Sequence, residues 1–248
     1  MQLHLMTWPE VEAYLKASTG IVVPLGSTEQ HGPTGLIGTD CICPEIIARR
    51  AGEAADILVG PTFPVGNAQH HMGFPGSLTL RPSTLIAALH DWIVSLAHHG
   101  FTRVMFLNGH GGNVASVQAA FAEVYAGYSV GPASSRVSPV RMSLVNWWEL
   151  DGVLRLCKEL FPKGHGSHAT PSEIAVTYFA HPEAVKTATL EPKIAPDGPI
   201  LDAADYRRRF PDGRIGSDPS TASPELGEKI VARAVDGLIE AYEKFIAA

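Results

Sequence analysis

Between Val22 and Asp40 the chain reads Val-Val-Pro-Leu-Gly-Ser-Thr-Glu-Gln-His-Gly-Pro-Thr-Gly-Leu-Ile-Gly-Thr-Asp, and three of its side chains, Glu29, His31 and Asp40, can bind a cation. Two carboxylates and an imidazole form a mixed oxygen and nitrogen donor set. Such a set suits a divalent metal of borderline hardness, such as zinc, manganese or iron(II). Glu29 and His31 stand two residues apart, so in an extended segment both side chains leave on the same side. Gly32, Pro33, Gly35 and Gly38 let the backbone fold back and return Asp40 to the same point. A polar surface loop with an incidental histidine is the competing reading, and this stretch alone leaves the two level.

Two further loops carry the same residue types. Asn108-Gly109-His110-Gly111-Gly112-Asn113 ends an apolar run, and a glycine-rich segment holds His165 and His168 shortly before Glu173. Taken singly, each histidine is more often a hydrogen-bonded loop residue than a ligand. Together they form a pattern, because loops at the carboxyl ends of parallel strands converge on one edge of a sheet. The turn around His110 lacks the lysine and Ser/Thr of a phosphate-binding loop and the spacing of a dinucleotide turn. His90, His98 and His99 fall on helix faces or ends, where a structural role is expected.

The elements that must position these residues follow an alternating pattern. A first helix starts at Thr7-Trp8-Pro9-Glu10, with Thr7 as cap, and runs to about Ala17. Gly20 to Leu25 is a buried strand by its unbroken apolar run. A helix is expected from Pro44 to about Ala54, where Cys41 and Cys43 pack at its start, and a strand from Ile57 to Pro61. Pro82-Ser83-Thr84 opens an amphipathic helix, Leu85 to His99, ended by Gly100. Strand Arg103 to Leu107, the glycine-rich turn and helix Val114 to Ala126 make a parallel α/β unit. A strand over Val137 to Val145, a helix over Trp147 to Leu160 and a helix from Thr170-Pro171-Ser172-Glu173 to about Ala180 come next. Residues 186–224 have weak periodicity and read as irregular, with local disorder or subunit contacts, before a last helix from Leu226 to Ala247. No internal repeat or linker divides the chain, so residues 1–248 read as one domain.

Composition narrows the class of function. The chain is 45% hydrophobic and 18% charged, with a formal net charge of −6 and a pI near 6.0. A nucleic-acid binder would need a basic face, and the net negative charge argues against one. No signal peptide and no membrane span are expected. The three cysteines, Cys41, Cys43 and Cys157, fit a reducing compartment without a disulfide framework, hence a cytoplasmic protein.

The motifs Gly26-Ser27-Thr28-Glu29-Gln30-His31-Gly32-Pro33, Gly38-Thr39-Asp40, Phe74-Pro75-Gly76-Ser77-Leu78-Thr79-Leu80 and Asn108-Gly109-His110-Gly111-Gly112-Asn113 resemble the creatininase family of amidohydrolases. The likeness keeps the family's order from about Val22 to His181. It implies a three-layer α/β/α sandwich around a mainly parallel sheet, two divalent metal ions per subunit (zinc or manganese, with iron(II) as a further candidate), and a homohexamer. On the match, Glu29, Asp40 and His110 would hold one metal, and His31 and Glu173 the other, with Asp40 bridging. The metals would activate a shared water to attack a small amide substrate, and His168 would be the acid/base residue. His70, His71 and Ser77, with Gly111, Trp148 and His165, are expected to contact substrate.

Two departures bear on the substrate. The later family motif has the form His-Ala-Gly-Glu-x-Glu-Thr-Ser, whereas this chain reads His168-Ala169-Thr170-Pro171-Ser172-Glu173. Relatives that open creatinine carry Tyr and Glu in place of Gly111 and Gly112, and Trp in place of Gly164. Creatinine itself is therefore a doubtful substrate, and the bond expected to be hydrolysed is that of a cyclic amide, a formamide or a peptide-like amide. A non-catalytic metal-binding protein and a two-metal phosphoesterase are the competing classes, the second disfavoured because Lys163 and Arg81 are the nearest cations in these loops.

Overall fold

The computed structural model describes residues 1–130 and 139–248. Three parallel strands, β1 (Gly20–Leu25), β2 (Arg103–Asn108) and β3 (Arg141–Asn146), form a sheet of order β1-β2-β3. Their register pairs Leu25 with Asn108 and Asn108 with Asn146, so all three carboxyl ends are level. Alternation along the strands sends side chains to two cores. Ile21, Val23, Leu25, Val104 and Phe106 meet α1 (Trp8–Leu15), α3 (Pro82–His98) and α4 (Val114–Ser129) on one face. Val22, Met105 and Leu107 meet α2 (Thr39–Ala54), α5 (Val153–Leu160), α6 (Pro171–Ala180) and α8 (Pro224–Ala247) on the other. The result is a helix–sheet–helix sandwich.

The structure corrects several expected boundaries. Helix α2 begins at Thr39, five residues before Pro44, which lies inside it. Proline supplies no N–H, so the Asp40 carbonyl four residues earlier loses its intrahelical donor. That carbonyl faces the strand ends instead. Residues 57–61 do not form a ladder strand; Val59 makes isolated bridges to Val22 and Gln2. β3 starts at Arg141, and Val137 and Ser138, the first residues of the expected strand, lie outside the described residues. The expected helix over 147–160 is split at Gly152, whose φ of 74° is left-handed, into a 3-10 turn Trp147–Glu149 and α5.

Residues 186–224 contain α7 (Ala203–Arg209), capped by Asp202, whose carboxylate accepts from the N–H groups of Ala204 and Asp205 at 2.9 Å. The rest is pinned by the fully buried Arg214. Its guanidinium donates to the carbonyls of Pro192, Lys193 and Ser217 at 2.8–3.0 Å and to the Asp212 carboxylate at 2.8 Å. Among the described residues no helix is long and apolar enough to cross a membrane.

Candidate metal centre

The carboxyl ends of β1 and β2 and the first turn of α2 meet at two glycines. A β-carbon on Gly26 would lie 2.5 Å from the Asp40 carbonyl oxygen, and one on Gly109 closer still. Only glycine lets the start of α2 settle across both strand ends, and that contact carries the Asp40 carboxylate to Glu29 and His110. Asn113 braces the junction by donating to the Gly26 carbonyl at 2.9 Å and accepting from the Asn67 N–H at 3.0 Å.

Three imidazoles are each fixed by a backbone carbonyl. His110 Nε2 is 2.9 Å from the Asn67 oxygen, leaving Nδ1 to face Asp40 at 3.1 Å and Glu29 at 3.3 Å. His31 Nδ1 is 3.1 Å from the Glu29 carbonyl oxygen, and its Nε2 faces Asp40 at 3.0 Å. His168 Nε2 is 2.7 Å from the Gln30 carbonyl oxygen, with Nδ1 turned toward Glu29 at 4.0 Å. A carbonyl can only accept, so each bound nitrogen carries a proton and the opposite nitrogen is the one turned toward the site.

Donor atoms of Glu29, Asp40 and His110 lie within 4.8 Å of one another, as do those of His31, Asp40 and Glu173. Asp40 belongs to both sets. A third set, Glu29, His31 and His168, is equally compact. Glu173 also has a structural duty: one of its oxygens accepts from the Thr170 N–H at 2.5 Å in the capping box of α6. Both Glu29 oxygens and Asp40 Oδ2 are buried without a hydrogen bond. Buried carboxylates so placed are costly unless a cation compensates them. The oxygen–nitrogen donor mixture fits zinc or manganese.

Electrostatics agree with this geometry. Burial raises the Glu29 pKa against the pull of His110, and raises that of Glu173 to about 7. Burial opposes the His31 imidazolium, but the Asp40 carboxylate outweighs it and raises the pKa to about 10. For His110, burial is likewise outweighed, by Glu29 and Asp40, and the pKa reaches about 9. His168 is pushed the other way, well below the usual imidazole value, by burial and then by His31 and His71.

A cavity of about 620 Å³ opens above this floor. His70, Gly111, Trp148 and His165 line it, and His165 Nε2 is 2.9 Å from the Ser172 hydroxyl. His71 also reaches the wall, yet it is buried with Nε2 3.0 Å from Glu29, and burial and its imidazole neighbours lower its pKa to about 2. Ser77 is buried and is not among the residues that line the cavity; its hydroxyl accepts from the Gln30 N–H at 3.1 Å.

Sequence reasoning missed Gln30, Tyr206 and Lys158. The Gln30 amide nitrogen stands 3.0 Å from His71 Nδ1, 3.0 Å from the Gly213 carbonyl and 3.1 Å from the Tyr206 hydroxyl. Gln30 sits between Glu29 and His31, which could have drawn notice, but Tyr206 comes from a segment with no periodic signal. Cys41 and Cys43 pack in α2, as expected, and burial raises the Cys41 thiol pKa to about 12.

A family model described as Creatininase: Creatinine amidohydrolase matches residues 4–242. Creatinine amidohydrolase of Pseudomonas putida is 27% identical over 257 residues, covering 96% of this chain and 95% of its own. The mycofactocin precursor peptide peptidase of Mycolicibacterium smegmatis is 28% identical over 240 residues, covering 91% and 85%. A solved structure described as Creatininase Mn superposes with a TM-score of 0.82 at 25% identity over 98% of each chain.

Proposed function

The chain belongs to the creatininase family, whose members are hydrolases acting on carbon–nitrogen bonds, and on that premise we propose that it hydrolyses an amide C–N bond of a small substrate with two divalent cations. The observation that carries this reading is Asp40, whose buried carboxylate is shared by two compact donor sets. Glu29, Asp40 and His110 would hold one ion, and His31, Asp40 and Glu173 the other. Zinc or manganese is the proposed metal, with iron(II) as the alternative.

When bound, such ions lower the pKa of water toward neutrality and polarise an amide carbonyl. The chain's own residues then manage geometry and protons. His168 is held by the Gln30 carbonyl with Nδ1 facing the floor, and its depressed pKa keeps it neutral near pH 7. It can take a proton from the attacking water at Nδ1 and return it to the departing nitrogen. His70, His71, Gly111, Trp148 and His165 are the proposed substrate contacts.

Creatinine is a doubtful substrate on this reading, because Gly111, Gly112 and Gly164 stand where the resemblance expects the pocket residues of creatinine-opening relatives. A β-carbon at Gly112 would stand 2.4 Å from His110 Nε2, and Gly164 has a φ of 65° with Asp218 at 2.9 Å. A side chain at either position would require its surroundings to shift, whereas Gly111 has open space around it. A homohexamer belongs to the same proposal, and light scattering on the purified protein checks it.

The deciding experiment is metal content per subunit, by mass spectrometry, in the wild type and in Asp40→Ala purified without chelator. About two ions falling to near zero is the expected result. One ion, unaffected by the substitution, would overturn the assignment. Turnover of a panel of cyclic amides, formamides and short peptides then tests the reaction class.

A further inference from the structure

The cavity is more than its floor. Its volume of about 620 Å³ lies in the range that encloses drug-sized ligands, about 300–1,000 Å³. Away from Glu29, Asp40 and Glu173 the lining mixes apolar Trp148, Leu154, Pro199, Ile200 and Ile215 with polar residues such as Ser167 and Thr170. One lining residue is a cation. Lys158 is the single lysine or arginine among the described residues that line the cavity.

The sequence puts Lys158 there by helical geometry. Leu154 and Lys158 are four residues apart on α5, so they share the face that forms the rim. Lys158 is exposed, and among the described residues it has no carboxylate within ion-pair distance. Its charge is felt on the wall: after burial, the Lys158 ammonium is among the influences that hold the His165 imidazole below its usual pKa. Gly111, whose β-carbon position has nothing within 4 Å, leaves the space between floor and rim unobstructed.

We propose that this rim is a subsite for an anionic group, with Lys158 as the cation that recognises it, so that the substrate is an amide carrying a carboxylate remote from the scissile bond. The proposal rests on the amidohydrolase reading of the floor. A cation beside apolar walls acts through a lower effective dielectric than one in bulk water, so it selects more strongly. Anchoring the acid at the rim also sets which end of the substrate enters, leaving the amide at the floor.

The test uses matched pairs that place the acid several bonds from the amide: 6-formamidohexanoate against 6-formamidohexanamide, and 4-(2-oxopyrrolidin-1-yl)butanoate against its primary amide. Binding to the metal-loaded protein is measured by calorimetry, with the wild type, Lys158→Gln, Lys158→Arg and Lys158→Glu. At least one acid is expected to bind about tenfold more tightly than its neutral partner. That ratio should fall toward one in Lys158→Gln, persist in Lys158→Arg, invert in Lys158→Glu, and shrink as salt rises. Equal affinities in the wild type, no binding of any probe, or an acid preference that survives Lys158→Gln overturns the subsite. Turnover is scored separately. Acid preference without hydrolysis keeps the subsite and counts against the amidohydrolase reading; hydrolysis without preference does the reverse.

Discussion

A β-carbon on Gly109 would lie 1.9 Å from the backbone carbonyl oxygen of Asp40. The end of β2 and the first turn of α2 therefore meet at a separation that only glycine allows, and the shared carboxylate depends on that meeting. Gly109→Ala is expected to displace Asp40 and take metal content toward zero, whereas Gly111→Ala, with open space around it, should retain both ions. Full metal occupancy in Gly109→Ala would show that the contact does not set the site.

His168 falls within ligand distance of Glu29 and His31, so its role as proton carrier needs separating from a role as ligand. His168→Gln is expected to keep its metal and lose about 10²–10⁴-fold in kcat. Loss of an ion in that variant would make His168 a ligand instead.

Metal uptake should release protons. In the metal-free site His31, with a pKa of about 10, and His110, at about 9, are protonated at pH 7, and Glu173, at about 7, is half protonated. All three must lose protons to bind metal, so apparent affinity rises as pH rises from 6 toward 9. Calorimetry in buffers of different ionisation enthalpy should report about two to three protons released. Uptake without proton release would contradict the ligand set.

The same groups set the stability of the metal-free chain in alkaline solution. A pKa raised in the folded state contributes stability that is fully present below the unfolded value and is lost as pH rises through the folded one. For His31 and His110 that loss runs from about pH 6.5 to about 9–10, and the raised pKa of Glu173 acts in the same direction from about 4.5 to 7. The metal-free protein should thus melt at a lower temperature at pH 9.5 than at pH 7. A Tm that is equal or higher at pH 9.5 would refute this coupling.

Arg214 holds the segment that brings Tyr206 to Gln30. Arg214→Met would leave the carbonyls of Pro192 and Lys193 without their donor and that of Ser217 with the Ala195 N–H alone, at a cost of about 3 kcal/mol or more. Denaturant unfolding measures this, and a change below about 1 kcal/mol would mean that solvent replaces the guanidinium.

Local pattern alone determined β1, β2, α3, α4 and the α6 start, because apolar runs, a capping box and helix-ending glycines act within a few residues. The residue types of the site were legible for the same reason: glycine-rich strand ends carrying Glu29, His31, Asp40 and His110 are a local signal. What only the tertiary structure decided depends on contacts far apart in sequence. Pro44 looks like a helix start, but the approach of Asp40 to Gly26 and Gly109 makes it an interior residue. Ser77 looks like a pocket hydroxyl, but packing buries it outside the cavity lining and against the Gln30 N–H, 47 residues away. Tyr206 and Arg214 sit in a stretch without periodicity, and their places follow from burial and hydrogen bonds across the fold, which no spacing rule encodes. Chemistry was written in the loops, and its arrangement came from packing.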